Sequence, residues 1–179
     1  MIMLSLGCVT ASEKENSKMK LKVGDKAPDF KLKDDTGTTR TLSEFKGDDV
    51  VLYFYPKNDT PGCTKEACGF RDNYQGYVDN EITVLGISFD SVESHKKFKE
   101  KYNLPFILLS DEKKEVAKAY GAVGGLFSMF PKRITFLIDE NGKISHIYDK
   151  VAVTEHAEEI LEVLMKGKEN QIREEGNTK

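Results

Sequence analysis

The run Val50-Val51-Leu52-Tyr53-Phe54-Tyr55 is apolar without a break and rich in β-branched and aromatic residues. A segment of that composition suits a strand buried on both faces of a sheet. Pro56 ends it, and Thr60-Pro61-Gly62-Cys63 then has the form of a helix start. Thr60 stands at the N-cap and Pro61 at the first helical position, where its missing N–H costs nothing. Cys63 therefore falls in the first turn, where free backbone N–H groups and the positive end of the helix dipole favour an ionised thiol.

The helix is expected to continue through Val78, because Cys63, Ala67, Phe70, Tyr74, Tyr77 and Val78 follow the spacing of one apolar face. Cys63 shares that face. Cys68 does not, because five residues of helix turn the chain by about 500° and raise it by about 7.5 Å, setting the two Cα atoms roughly 8.6 Å apart. A disulfide needs Cα atoms within about 7 Å. If Cys63 and Cys68 form a redox couple, the helix has to unwind locally to join them.

Pro56-x-x-x-Thr60-x-x-Cys63 resembles the active-site signature of the peroxiredoxins. The longer segment TPGCTKEACGFRD, with its second cysteine five residues after the first, is similar to the bacterioferritin comigratory protein (PrxQ) class. The resemblance runs from about Lys22 to Lys166 and takes in VGDKAPDF, SFDSVESHKKF and RITFLIDENGKI. It implies an α/β, thioredoxin-like fold: a central mixed sheet flanked by helices and preceded by a β-hairpin extension.

The remaining segments fit that outline. Lys22 to Thr41 reads as the hairpin, turning at Asp34-Asp35-Thr36-Gly37, and Ser43 to Gly47 as a short helical turn. Ile82 to Phe89 is a second buried strand. Asp90-Ser91-Val92-Glu93 is a capping start for a helix to Tyr102, with Val92, His95, Phe98 and Tyr102 on one side. Strand, helix, strand in that order favours a parallel pair with a right-handed crossover. Ile107 to Leu109 is a short strand, and a helix is expected from Asp111 through Tyr120, ending at Gly121. Ile134 to Ile138 and Ile144 to Tyr148 form a hairpin about Asn141-Gly142. A last helix spans Thr154 to Met165, with Ala157, Ile160, Leu161 and Leu164 inward.

A chain of 179 residues with 39% hydrophobic content can bury one core of ordinary size. The expected division is an N-terminal extension over 1–18, disordered or removed by processing, a single domain over 19–167, and a polar, frayed tail over 168–179. A net charge of −3 gives no electrostatic reason to expect nucleic acid as a partner. Three cysteines without metal-like spacing, and three histidines (His95, His146, His156) far from them in sequence, argue against both a disulfide scaffold and a zinc site. They point instead to a reducing, cytoplasmic setting in which thiols do chemistry.

Met1 to Ala11 is apolar, too short to span a bilayer, and lacks the basic start of a signal peptide. No stable membrane association is expected. The minor alternative is export or lipid anchoring, because Leu4-Ser5-Leu6-Gly7-Cys8 has some features of a lipoprotein processing box, although Ser5 stands where an aliphatic residue is usual. Cys8 is otherwise a bystander.

The resemblance implies a thiol-dependent peroxidase with no metal, flavin or haem, acting in antioxidant defence and redox homeostasis. Cys63 would attack hydrogen peroxide or an organic hydroperoxide and become a sulfenic acid. Cys68 would resolve it as an intramolecular disulfide, and thioredoxin or a similar dithiol donor would reduce that disulfide. For any cysteine, lowering the pKa from about 8.5 to about 6 raises the thiolate fraction at pH 7 only about thirtyfold. Most of the acceleration must then come from groups arranged around the peroxide oxygens. The candidates are the Thr60 hydroxyl, the backbone N–H groups of Gly62 and Cys63, and the Arg133 guanidinium, with Glu66 orienting Arg133 and Pro56 shielding the site.

Plainer roles exist for each: Thr60 as a cap alone, Arg133 as a structural partner of Glu66 or Asp139, Cys68 as a passive thiol. The glycine-rich segment 121–131, with Leu126, Phe127, Met129 and Phe130, is expected to form an apolar rim, a subunit contact or ordinary packing. The chain is expected to be a monomer or weak homodimer. The rival functions are a thioredoxin-like protein disulfide oxidoreductase, which the lack of C-x-x-C opposes, and a non-catalytic holdase on the same scaffold.

Overall fold

The computed structural model describes residues 21–124 and 128–176. The N-terminal extension with Cys8, and Leu126 and Phe127 of the glycine-rich segment, lie outside the described residues. The described residues form one seven-stranded mixed sheet in the order β2-β1-β5-β4-β3-β6-β7. β3 (Asp49–Phe54) and β4 (Ile82–Ser88) occupy its centre, and they are the two apolar runs picked out by composition. They pair in parallel, as does β4 with β5 (Ile107–Ser110). β6 (Ile134–Ile138) lies antiparallel on the other side of β3, followed by β7 (Ile144–Tyr148). This is the thioredoxin-like arrangement, and the hairpin β1 (Lys31–Asp34) and β2 (Thr39–Thr41) extends it beyond β5.

Two aspartates fasten that hairpin. Asp34 accepts from the backbone N–H groups of Thr36 and Thr38 and from Arg40 Nε at 2.9 Å, closing the turn. Asp35 accepts from the Leu108 N–H at 3.1 Å and pairs with Lys99, which ties the turn to β5 and to α3 (Val92–Tyr102).

Alternation along β3 divides the core into two layers. Val51, Tyr53 and Tyr55 face α1 (Pro61–Asp72), α3 and α5 (His156–Gly176), whereas Val50, Leu52 and Phe54 face α4 (Glu115–Ala119) and the N-terminal segment. Tyr53 reaches under α1 to stack on Phe70, with ring centroids 4.8 Å apart. Gly86 makes room for it, since a Cβ there would meet the Tyr53 ring at 2.8 Å. Phe70 is fully buried, and burying such a side chain contributes roughly 1.5–3 kcal/mol.

Three expectations about helices are corrected. The cysteine helix does not run through Val78: it ends at Asp72, and a short α2 (Tyr74–Asp79) follows. Asn73, at φ −98° and ψ 6°, donates from Nδ2 to the Gly69 carbonyl, so its side chain competes with the helical ladder and redirects the chain. Val78 consequently faces solvent. The helix expected from Asp111 starts only at Glu115, because Asp111 accepts from the N–H groups of Glu115 and Ala117 while Lys114 sits at φ 61°. The last helix continues to Gly176, through residues 168–176 of the stretch expected to be frayed tail, and 177–179 lie outside the described residues. Exposed pairing of Lys166 with Glu162, and pairing of Lys168 with Asp49, support its polar part without any apolar periodicity.

Candidate active site

β3 delivers its C-terminal end directly to the loop Tyr55–Thr60 and then to α1, at the strand ends where open α/β sheets form their crevices. Cys63, in the first turn of α1, is 2% exposed. Register explains how Arg133 reaches it across 70 residues of sequence. Ile134 pairs with Phe54, which sets Arg133, one residue earlier, level with Tyr55 and beside the start of α1. Arg133 Nη2 donates to Cys63 Sγ at 3.2 Å, and Nη1 donates to Glu66 Oε2. A Cβ on Gly62 would lie 3.4 Å from Arg133 Nη2, so the guanidinium rests close over that glycine.

Glu66 is three residues after Cys63 on the same helical face and is 1% exposed. Burial pushes its carboxyl up to about 7, against the opposing pull of Arg133. Its Oε1 is buried without a hydrogen-bond partner among the described residues. Burial works to lower Arg133, but Glu66 and Cys63 outweigh it and hold the guanidinium above its ordinary value. Asp139, the other expected partner, instead accepts from the N–H groups of Asn141 and Lys143 in the β6–β7 turn.

Thr60 has the extended backbone of an N-cap, and its carbonyl accepts from the Thr64 N–H at 2.9 Å. Its side chain does not cap. The hydroxyl donates backward to the Lys57 carbonyl at 2.9 Å, so its lone pairs, and not its proton, remain for a ligand. The first-turn N–H groups of α1 thus have no side-chain acceptor among the described residues. Pro56 is half-buried at the mouth of the loop.

Cys63, Gly62, Glu66, Thr60 and Arg133 are therefore gathered at one helix end. Cys68 is partly exposed and, like Cys63, a free thiol; both lie on the continuous helix α1. The intact helix holds the two sulfurs apart by its own geometry. Of the apolar segment before Arg133, Met129 and Phe130 are exposed, 72% and 44%, with Lys57 Nζ over the Phe130 ring at 5.8 Å.

Residue-by-residue reading of the sequence missed a polar cluster beneath the loop. Asn58 is buried and bonded to Tyr55, Ser94, His95 and Asp90. The only hint in the sequence is His95, on the inward side of α3 among apolar neighbours. A second buried histidine, His156, lies 2.8 Å from Thr135 Oγ1 at the base of α5, and burial lowers it to about 4.

Residues 23–147 match the model of the AhpC/TSA family. The chain belongs to that family. A putative peroxiredoxin bcp from Coxiella burnetii is 50% identical over 148 residues, covering 80% of this chain and 98% of the relative. Among solved structures, peroxidoxin BcpB from Mycobacterium tuberculosis superposes with a TM-score of 0.76 at 40% identity, over 82% of this chain and 97% of that one. A mutant of PrxQ from Xylella fastidiosa gives 0.77 at 33% identity, over the same shares. These three relatives are peroxiredoxins of the Bcp/PrxQ kind, and this chain is a thiol-dependent peroxidase of that kind.

Proposed function

We propose that Cys63 is the thiol that attacks peroxide and that Cys68 resolves the product, in a cycle acting on hydrogen peroxide and organic hydroperoxides. The observation that carries this reading is the bond from Arg133 Nη2 to Cys63 Sγ at an uncapped helix end. The Cys63 thiolate attacks the terminal oxygen, the O–O bond breaks, and its electron pair leaves on the distal oxygen. That oxygen collects the proton from the attacked hydroxyl and departs as water or alcohol, while Cys63 becomes a sulfenate. Arg133 and the Gly62 and Cys63 N–H groups stabilise charge on the two oxygens as they separate. Thr60 accepts the peroxide O–H through the lone pairs that its bond to Lys57 leaves open. Glu66 orients the guanidinium, and Pro56 keeps water from the thiolate.

After protonation of the sulfenate, the Cys68 thiolate attacks the Cys63 sulfur and displaces hydroxide, forming the disulfide. α1 unwinds over its first turns to permit this step, since five residues of intact helix keep the Cα atoms about 8.6 Å apart. A dithiol protein of the thioredoxin type then reduces the disulfide. The enzyme acts as a monomer or weak homodimer in the cytoplasm; no helix among the described residues is long and apolar enough to cross a membrane.

A coupled assay with thioredoxin, its reductase and NADPH tests the cycle. Wild type should turn over continuously, Cys63→Ser not at all, and Cys68→Ser should consume one peroxide per chain and stop as the sulfenic acid. Sustained thioredoxin-driven turnover by Cys68→Ser would overturn the resolving role.

A further inference from the structure

The segment Ser88-Phe89-Asp90-Ser91-Val92-Glu93-Ser94-His95 contributes no group to the reaction above, yet it grips the loop in front of Cys63. Asp90 Oδ2 accepts from the Asn58 N–H at 2.9 Å and from Ser88 Oγ at 2.7 Å. The Asn58 side chain is pinned as well: its Nδ2 donates to Ser94 Oγ at 2.9 Å and faces His95 Nδ1 at 3.2 Å, and its Oδ1 accepts from Tyr55 at 2.7 Å. Asp59, at φ 57°, is paired with Lys101 of the same helix. A loop that surrenders its backbone freedom at so many points is held in one conformation.

The Asn58 N–H and the Lys57 carbonyl belong to one peptide group. That group is planar and trans, so the N–H and the C=O point in opposite directions. Fixing the N–H on Asp90 therefore aims the Lys57 carbonyl away from Asp90, and there it receives the Thr60 hydroxyl proton at 2.9 Å. We propose that Asp90 is a positioning residue for peroxide reduction, acting through the Lys57–Asn58 peptide to hold the Thr60 hydroxyl with its lone pairs toward the incoming peroxide. Without Asp90 the peptide is free to turn and the Thr60 proton is free to leave Lys57. Thr60 then meets the peroxide O–H in mixed orientations.

This inference rests on Cys63 being the attacking thiol and Thr60 facing the substrate. The test is a double-mutant cycle, read as the second-order rate of Cys63 oxidation by hydrogen peroxide in stopped flow. Iodoacetamide alkylation of Cys63 is followed in parallel, because it needs the thiolate but no oxygen acceptor. Asp90→Ala should slow peroxide oxidation roughly tenfold, as displacement of an aligned group does, and leave alkylation within about twofold of wild type. Asp90→Asn, which keeps an acceptor oxygen, should lose less, about threefold. In a Thr60→Val background Asp90→Ala should cost nothing further.

A fall that persists with Thr60→Val, or falls equal in both reagents, would overturn the relay, as would an unchanged peroxide rate in Asp90→Ala. Should Asp90→Ala not fold, Asp90→Asn carries the same cycle with an expected drop of about threefold, and absence of that drop overturns the relay. Failure of the underlying reading looks different: Cys63 of the wild type would not react with peroxide, or Thr60→Val would react at the wild-type rate.

Discussion

α1 and α3 leave the same end of the sheet by equivalent routes, one after β3 and one after β4, but their first turns are treated oppositely. At α3, Ser91 Oγ accepts from the Ser94 N–H, and the Asp90 carboxylate takes bonds from Asn58, Ser88 and Ser94. At α1, Thr60 turns its hydroxyl away from the helix and leaves the first-turn N–H groups uncapped, with Cys63 and Arg133 beside them. A side-chain cap is worth about 0.5–2 kcal/mol. The protein forgoes that stabilisation at one helix and keeps it at the other. A helix end that is to bind a polar ligand cannot also be satisfied by its own side chain, and here the satisfied end supports the open one.

Substitutions should separate the two ends cleanly. The largest effect belongs to Arg133→Lys, which keeps the charge but loses the fork that joins Cys63 to Glu66. The peroxide rate in stopped flow should fall by a factor on the order of 100 to 1000, and a fall under threefold would reduce Arg133 to a structural partner of Glu66.

Glu66 supplies the pH dependence of the open end. Burial raises its carboxyl from the ordinary 4.5 to about 7. A folded-state value above the unfolded one adds stability that is complete below about 4.5 and is lost as pH rises through about 7. Urea unfolding of wild type should therefore lose up to about 3 kcal/mol relative to Glu66→Gln across that interval. Parallel curves for the two proteins would show that Arg133 keeps Glu66 ionised throughout.

Thr60→Val keeps the shape of the residue and should slow peroxide oxidation about tenfold. Its melting temperature should hardly move, because there is no side-chain cap to lose. Ser91→Ala gives the smallest effect and the converse one, a loss of about 1 kcal/mol in stability with the peroxide rate within twofold. A stability loss at Thr60 matching that at Ser91 would erase the distinction between the two helix ends.

The sequence made the open end legible because its signals are local. Pro56, Thr60, Pro61 and Cys63 lie within eight residues, and each carries a positional preference of its own. The central strands were equally plain from their uninterrupted apolar runs. The N-cap position of Thr60 was foreseen, but not the direction of its hydroxyl, which depends on a carbonyl three residues back being aimed by an aspartate 30 residues ahead. The burial of Asn58 is illegible for the same reason: Asp90, Ser94 and His95, which hold it, lie more than 30 residues further along the chain. The break at Asn73 went unseen because the apolar spacing continues through it, and the polar end of α5 because it rests on ion pairs rather than on a buried stripe.

The most direct measurement treats the reduced protein with one equivalent of hydrogen peroxide, then maps the cysteine peptides by mass spectrometry after blocking free thiols. A peptide pair joined through Cys63 and Cys68, two hydrogens lighter than the reduced pair, is expected in nearly every chain. Recovery of Cys63 as a blocked free thiol, with the oxidant unspent or the oxidation elsewhere, would contradict it.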